Sequence, residues 1–189
     1  MPKRANGVVS LLDGPATEAV RAIWKELDER LGLRGISVMP YPHFSYHIAG
    51  GYDRVPLEEA LESHARRTGP FPVQLTGVET FSGEWPVVFL AVAPDRRLLD
   101  LHQALWGICS PHAQDESGLY APGRWVPHVS LAYGDEGRGT PLSAAQVRDV
   151  LAALQGREVR RTVTVDNLAL VADEGTVQRP VRTFPLRSV

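Results

Sequence analysis

Two short segments, His43-Phe44-Ser45 and His128-Val129-Ser130, carry residue types suited to phosphoryl chemistry. Side chains alternate along a strand, so His43 and Ser45 share a face with Cα atoms about 6.5 Å apart, as do His128 and Ser130. Each pair is spaced to grip one small group. Transfer at a phosphodiester without a metal needs a base on the attacking oxygen and an acid on the leaving oxygen, on opposite sides of phosphorus. Two imidazoles supply both near neutral pH, with ordinary pKa values of about 6.5 and a contribution of about 10²–10⁴-fold per proton-transfer role. The serine hydroxyls can donate to the non-bridging oxygens, where negative charge must be held. A lone His-x-Ser recurs by chance. These two share a preceding proline (Pro42 and Pro127), a strand-like context and one position in each half of the chain, which joins them into one candidate site.

Other histidines fit this chemistry less well. Strict alternation puts His47 on the face of His43, but the motif starting there, His47-Ile48-Ala49, lacks a hydroxyl. His43 and His47 imitate the spacing of helical zinc ligands, yet on a strand they stand about 13 Å apart, too far to share a metal. No metal is expected. His64 and His102 fall on helices and read as structural, and His112 reads as a surface residue of a loop. Tyr46, Tyr120 and Trp125 are candidates to stack on a base, although Tyr46 points away from His43 and Ser45 and suits the core better. Arg124, beside the second motif, is the candidate for a further phosphate contact. Gly134 to Thr140 is glycine-rich but lacks the lysine and spacing of a phosphate loop, so it reads as a surface turn.

The elements that must hold these residues can be read from periodicity. Val8 to Leu12 is a buried-strand pattern. Val20, Ile23, Trp24, Leu27 and Leu31 mark a helix ended by Gly32. A strand over His43–Gly50 precedes a helix over Asp53–Thr68, and a hairpin joins Val73–Phe81, with an irregularity at Gly77, to Val87–Val92. Leu98, Leu101, Leu105 and Ile108 mark a third helix. The stretch from Gly107 to Arg124 lacks periodicity and suits a lid or binding loop. A strand over Trp125–Tyr133, a helix opened by the capping box at Ser143–Gln146, and strands over Val159–Val171 and Val177–Leu186 complete the order, with a turn at Asp173-Glu174-Gly175. Helices interleaved with antiparallel pairs define an α+β pattern, without the regular alternation of a doubly wound sheet.

The bulk numbers exclude several classes. A chain of 189 residues with 43% hydrophobic and 22% charged side chains and a mean hydropathy of -0.15 is ordinary for a globular protein able to bury its own core. One cysteine, Cys109, forms no intramolecular disulfide and points to a reducing compartment, with cytoplasm the default. The first residues do not read as a signal peptide, and no apolar run is long enough to span a bilayer. The net charge of -2 argues against coating nucleic acid by charge alone. Residues 1–120 carry 11 basic and 15 acidic side chains and residues 121–189 carry 9 and 7, so an anionic ligand needs a local pocket, helped by the C-terminal part.

The segment Trp125-Val126-Pro127-His128-Val129-Ser130-Leu131-Ala132 resembles the second signature of the two-histidine phosphoesterase superfamily, which includes the bacterial 2′-5′ RNA ligase and RNA 2′,3′-cyclic phosphodiesterase proteins. That pattern, H-x-T/S-hydrophobic, is used twice in the family. Pro42-His43-Phe44-Ser45-Tyr46 fits its first copy, and both copies here carry Ser in place of the commoner Thr. Gly77–Phe81, Val87–Val92, Leu98, Leu101-His102, Leu168–Val171 and Phe184–Leu186 resemble the middle and end of the family, so nearly the whole chain is covered, though only the motifs are specific.

The resemblance implies a bilobal α+β fold across residues 1–189, with antiparallel sheets in two pseudo-symmetric lobes, helices outside and the histidines facing across a central cleft. It further implies that His43 is the general acid toward a leaving 3′ oxygen and His128 the general base on water, with Ser45 and Ser130 on the phosphate. Arg124, Tyr120 and Trp125 are candidate substrate contacts. A 2′,3′-cyclic RNA end would open to a 2′-phosphate without a cofactor, with 2′-5′ ligation as a further activity, and residue spacing alone leaves open which histidine is acid and which base. The expected partners are RNA ends or small cyclic phosphodiester nucleotides, with no membrane or protein partner. Small cyclic nucleotides or 2′-5′ oligoadenylates as substrates, and a non-catalytic module that binds RNA ends, are the alternatives.

Overall fold

The computed structural model describes residues 6–34, 39–134, 140–173 and 177–187. Its strands are β1 (Asn6–Leu11), β2 (His43–Ala49), β3 (Gly51–Tyr52), β4 (Phe71–Phe81), β5 (Val87–Val92), β6 (Ala113–Gln114), β7 (His128–Tyr133), β8 (Arg161–Val165), β9 (Asn167–Asp173) and β10 (Gln178–Pro185). Its helices are α1 (Gly14–Leu31), α2 (Arg54–Ala65), α3 (Arg96–Cys109) and α4 (Ala144–Leu154). The expected surface turn at Gly134–Thr140 and the turn at Asp173–Gly175 fall mostly outside the described residues.

Two four-stranded antiparallel sheets form the frame, in the orders β10-β9-β1-β2 and β7-β5-β4-β8, with β3 and β6 as a separate small pair. The strands carrying the two histidines, β2 and β7, are each the outer strand of their own sheet, and they lie against one another. This brings the two motif strands into contact. The helices cross between the halves. α1 follows β1 of the first sheet but packs on β7 and on α4, which itself covers β5. α3 follows β5 of the second sheet but packs on β2 and on α2, which covers β9 and β10.

Local chemistry fixes the helix ends. The Asp13 carboxylate accepts from the Ala16 amide at 2.9 Å and Asp95 from the Leu98 amide at 2.8 Å, satisfying amides that have no partner inside the helix. Ser143 and Gln146 form the capping box expected for α4. Gly32 ends α1 at φ +66°, a left-handed turn that costs glycine nothing sterically. Val20, Ile23, Trp24 and Leu27 of α1 are all buried, as their spacing predicts.

The expected strand over Val159–Val171 is instead two strands, split at Asp166. β8 pairs with β4 in the second sheet and β9 pairs with β1 and β10 in the first, so the chain changes lobes within one residue. The Asn167 side chain makes that crossing possible by acting as a short strand partner. Its amide donates to the Leu11 carbonyl at 2.9 Å and its oxygen accepts from the Leu11 amide at 3.0 Å. Asn167→Ala leaves both Leu11 groups without these bonds and is expected to cost about 2 kcal/mol, measured as a lower urea midpoint at unchanged slope.

The aperiodic stretch after α3 is stitched to the rest rather than free to close. Its β6 pairs with β3, the Gly50 amide donates to the Gln114 carbonyl at 2.8 Å, and the Ser117 amide donates to the Ile48 carbonyl at 2.8 Å. These bonds anchor the lid or binding loop expected from sequence along the end of β2. Among the described residues no helix is long and apolar enough to cross a membrane.

Candidate active site

Along β2, His43 and Ser45 are half-buried while Phe44 and Tyr46 are buried; along β7, His128 and Ser130 are half-buried while Val129 and Leu131 are buried. The alternation that joins each histidine to its serine therefore holds. It stops at the next residue in both strands. Val8 pairs with His47 and Val9 with Ser45, leaving Tyr46 as an extra residue; Val88 pairs with Ala132 and Phe89 with Ser130, leaving Leu131 extra. Each motif thus ends in a β-bulge, a device that re-aims the side chains beyond it.

The first bulge corrects the reading of His47. Strict alternation puts it beside His43, but the inserted Tyr46 shifts the phase by one residue and His47 is fully buried. Its Nδ1 lies 2.8 Å from the Tyr52 hydroxyl, its Nε2 lies 3.1 Å from a Glu116 carboxylate oxygen, and its ring packs against Trp106 of α3. This histidine ties the Glu116 segment to the core.

The two motif histidines are held alike. Nδ1 of His43 lies 2.6 Å from the Tyr41 carbonyl and Nδ1 of His128 lies 2.8 Å from the Val126 carbonyl, each two residues upstream. A carbonyl only accepts, so Nδ1 carries the proton and Nε2 is left as the working nitrogen of each ring. Burial pushes His43 down to about 4, partly countered by its bond to Tyr41 and reinforced by the nearby His128. Burial also lowers His128, against the bond to Val126. Phe81 and Phe89 supply apolar surroundings there, with ring centroids 4.9 and 5.2 Å from the imidazole. Burial therefore favours the neutral form of both rings. An anion bound between them would favour protonating one, giving one acid and one base.

A cleft of about 440 Å³ opens beside His128, lined by Phe81, Trp85, Leu119, Tyr120, Arg124 and Val126 among others. Leu119 and Val126 are large apolar side chains left 66% and 46% exposed, and both lie here. Tyr120 and Arg124, candidates from sequence, are on this wall. Trp125 borders it too but is only 8% exposed. Its indole stacks on His102 at 4.0 Å and 6° and on Tyr46 at 5.7 Å, and its Nε1 donates to the Ser45 carbonyl at 2.8 Å. The expectation that Trp125 stacks on a base is therefore corrected: neighbouring rings already cover it. His102 is buried with Nε2 2.9 Å from the Tyr120 carbonyl, and Cys109 is buried with its thiol pushed up to about 12, an inert form.

Phe81 and Trp85 escape the sequence reading. Their signal is an aromatic on each side of the Ser82-Gly83-Glu84 turn, at a hairpin tip where only one strand face has a core to fill.

Two outer strands in contact, each ending in a bulge and each carrying a histidine and a serine on its half-buried face, match the two-histidine phosphoesterase superfamily. Residues 14–176 match the model of the 2′-5′ RNA ligase superfamily, and the chain belongs to that family. No curated protein sequence matches it significantly. Among solved structures, TT0787 of Thermus thermophilus is similar with a TM-score of 0.63 at 18% identity, over 98% of this chain and 99% of that one. A phosphoesterase matches at 0.52 and 17%, over 96% and 99%. LigT of E. coli complexed with 3′-AMP matches at 0.52 and 16%, over 98% of each chain. At these identities the likeness establishes the fold.

Proposed function

We propose that this protein is a metal-independent phosphodiesterase that opens RNA 2′,3′-cyclic phosphate ends to 2′-phosphates, and that it forms a 2′-5′ linkage when a 5′ hydroxyl takes the place of water. The observation that carries this reading is the matched pair of imidazoles, each fixed through Nδ1 by a backbone carbonyl and each accompanied by a serine on the same strand face. Water attacks phosphorus in line with the 3′ oxygen. His128 takes the proton of the water, the P–O3′ bond breaks, and His43 protonates the departing 3′ oxygen, leaving the phosphate on O2′. Ser45 and Ser130 donate to the non-bridging oxygens as charge builds on them.

The cleft beside His128 supports a nucleotide as the recognised part. Its apolar and aromatic wall suits the face of a base, and LigT, of the same fold, has been crystallised with 3′-AMP. Among the described residues lining it Arg124 is the one permanent cation, and the chain as a whole is acidic. A terminal nucleotide, rather than a long stretch of phosphate backbone, is what such a wall can read. The test is turnover of a panel of 2′,3′-cyclic mononucleotides, cyclic-ended oligoribonucleotides and 2′-5′-linked oligoadenylates with excess EDTA. Hydrolysis of cyclic ends with EDTA present is expected. Activity confined to metal-supplemented reactions, or none on the panel, contradicts the proposal.

The same electrostatics set the pH dependence. The reacting pair must hold one proton, and in the free protein burial keeps both imidazoles below the ordinary 6.5. The second proton leaves below that pH, so kcat/KM, which reports the free enzyme, is expected to peak below pH 6.5 and fall as pH rises through neutrality. The bound phosphodiester anion raises both pKa values, so kcat should persist to higher pH. Parallel profiles of kcat and kcat/KM check this.

A further inference from the structure

Each motif serine has its carbonyl held by a tryptophan. Nε1 of Trp125 donates to the Ser45 carbonyl at 2.8 Å, and Nε1 of Trp24 donates to the Ser130 carbonyl at 3.1 Å. Both indoles are buried, Trp24 at 9% exposure and Trp125 at 8%. An indole N–H has no other hydrogen-bonding capacity, so each ring is committed to this one acceptor. The arrangement is crossed. Trp24 belongs to α1, which follows β1 of the first sheet, yet it holds the motif of β7 in the second. Trp125 leads into β7 of the second sheet, yet it holds the motif of β2 in the first.

The two acceptors are equivalent points. Each carbonyl belongs to the last residue before a bulge, where the regular ladder breaks and the peptide plane loses part of its restraint. Holding that plane steadies the backbone from which the serine side chain projects. The outer strands β2 and β7 belong to different sheets, so their separation is not fixed by a shared ladder.

We propose that Trp24 and Trp125 are positioning residues: a crossed pair of indole clasps through which each half of the protein aims the other half's phosphate-binding serine. The proposal rests on the reading of Ser45 and Ser130 as phosphate contacts. The clasps act on the serines, so their loss weakens the grip on phosphorus without removing either imidazole.

A crossed set of double-mutant cycles tests this, read out both as kcat on a 2′,3′-cyclic nucleotide and as affinity for inorganic phosphate. Trp125→Phe keeps an aromatic ring and removes the donor along with part of the ring volume, a packing loss that the serine backgrounds separate from the clasp. It is expected to lower kcat and phosphate affinity about tenfold. In a Ser45→Ala background the same change should have almost no effect, and in a Ser130→Ala background its full effect. Trp24→Phe should show the opposite pairing. A general loss of stability couples to neither serine selectively. Equal effects in both backgrounds, or unchanged kcat and phosphate affinity in both Trp variants, overturn the proposal.

The two arms are separate variants, so failure of one to fold leaves the other to decide. The wild type gives a further check: saturating phosphate should shift the Nε1–H NMR signals of Trp24 and Trp125, and unmoved signals contradict the clasps. Wild-type protein that binds phosphate but turns over no substrate ends the phosphodiesterase reading, and the cycles in phosphate affinity still decide the clasps.

Discussion

His128→Ala is expected to lower hydrolysis of a 2′,3′-cyclic nucleotide by about 10²–10⁴-fold, and His43→Ala by a similar factor, with both variants folded. The two losses should separate when the leaving group changes. A nucleoside 4-nitrophenyl phosphodiester expels a phenolate stable enough to depart without a proton. An enzyme lacking only its acid recovers most of its rate on that ester, while one lacking its base does not. Under the proposed roles, His43→Ala recovers and His128→Ala remains slow. The opposite pattern exchanges the roles, and full activity of either variant on the cyclic substrate removes that histidine from the mechanism. The experiment is informative because burial holds His43 at about 4 in the free protein, so its service as an acid depends on the proton being stabilised by the bound phosphate.

The largest effect on stability is expected at Phe44. It is 1% exposed, lies between His43 and Ser45, and packs edge-on against Tyr46 with ring centroids 5.3 Å apart. Phe44→Ala removes a buried aromatic and leaves a cavity under the first motif, at a cost of about 3–5 kcal/mol. Urea unfolding measures this directly. The consequence reaches the site because the inward ring fixes the face on which His43 and Ser45 stand. A cost under about 1 kcal/mol would mean that β2 is held chiefly by its pairing with β1, and that the packing beneath the motif matters little.

What the sequence discloses about the site depends on the range of the interaction involved. His43, Ser45, His128 and Ser130 stand out because their chemistry and spacing are local, and alternation along a strand needs no tertiary information to place them. The capping box at Ser143 and the helix stop at Gly32 are local in the same sense. The bulges at Tyr46 and Leu131 are not. An aromatic and a leucine fit a regular strand equally well, and only pairing with β1 and β5 makes them extra residues. Strict alternation misplaces His47 for that reason alone. The crossing at Asp166 is hidden because the residues on both sides favour strand, and nothing local says that they join different sheets.

Aromatic residues show the same limit. Tyr120, Trp125 and Phe81 look alike in a sequence, as rings near a motif. All three line the cleft, but packing stacks Trp125 on His102 and Tyr46 and leaves it buried. The indole bonds from Trp24 and Trp125 to the serine carbonyls join residues that are 106 and 80 positions apart, and no pattern in the chain announces them.

The central claim is that two histidines, without metal assistance, direct water at a cyclic phosphate and expel the 3′ oxygen. Its most direct test is the identity of the product. An oligoribonucleotide with a 2′,3′-cyclic end, incubated with the wild-type protein in excess EDTA and followed by ³¹P NMR, is predicted to give the 2′-phosphate as the sole product. Accumulation of the 3′-phosphate, or an intact cyclic end until metal is restored, would contradict it.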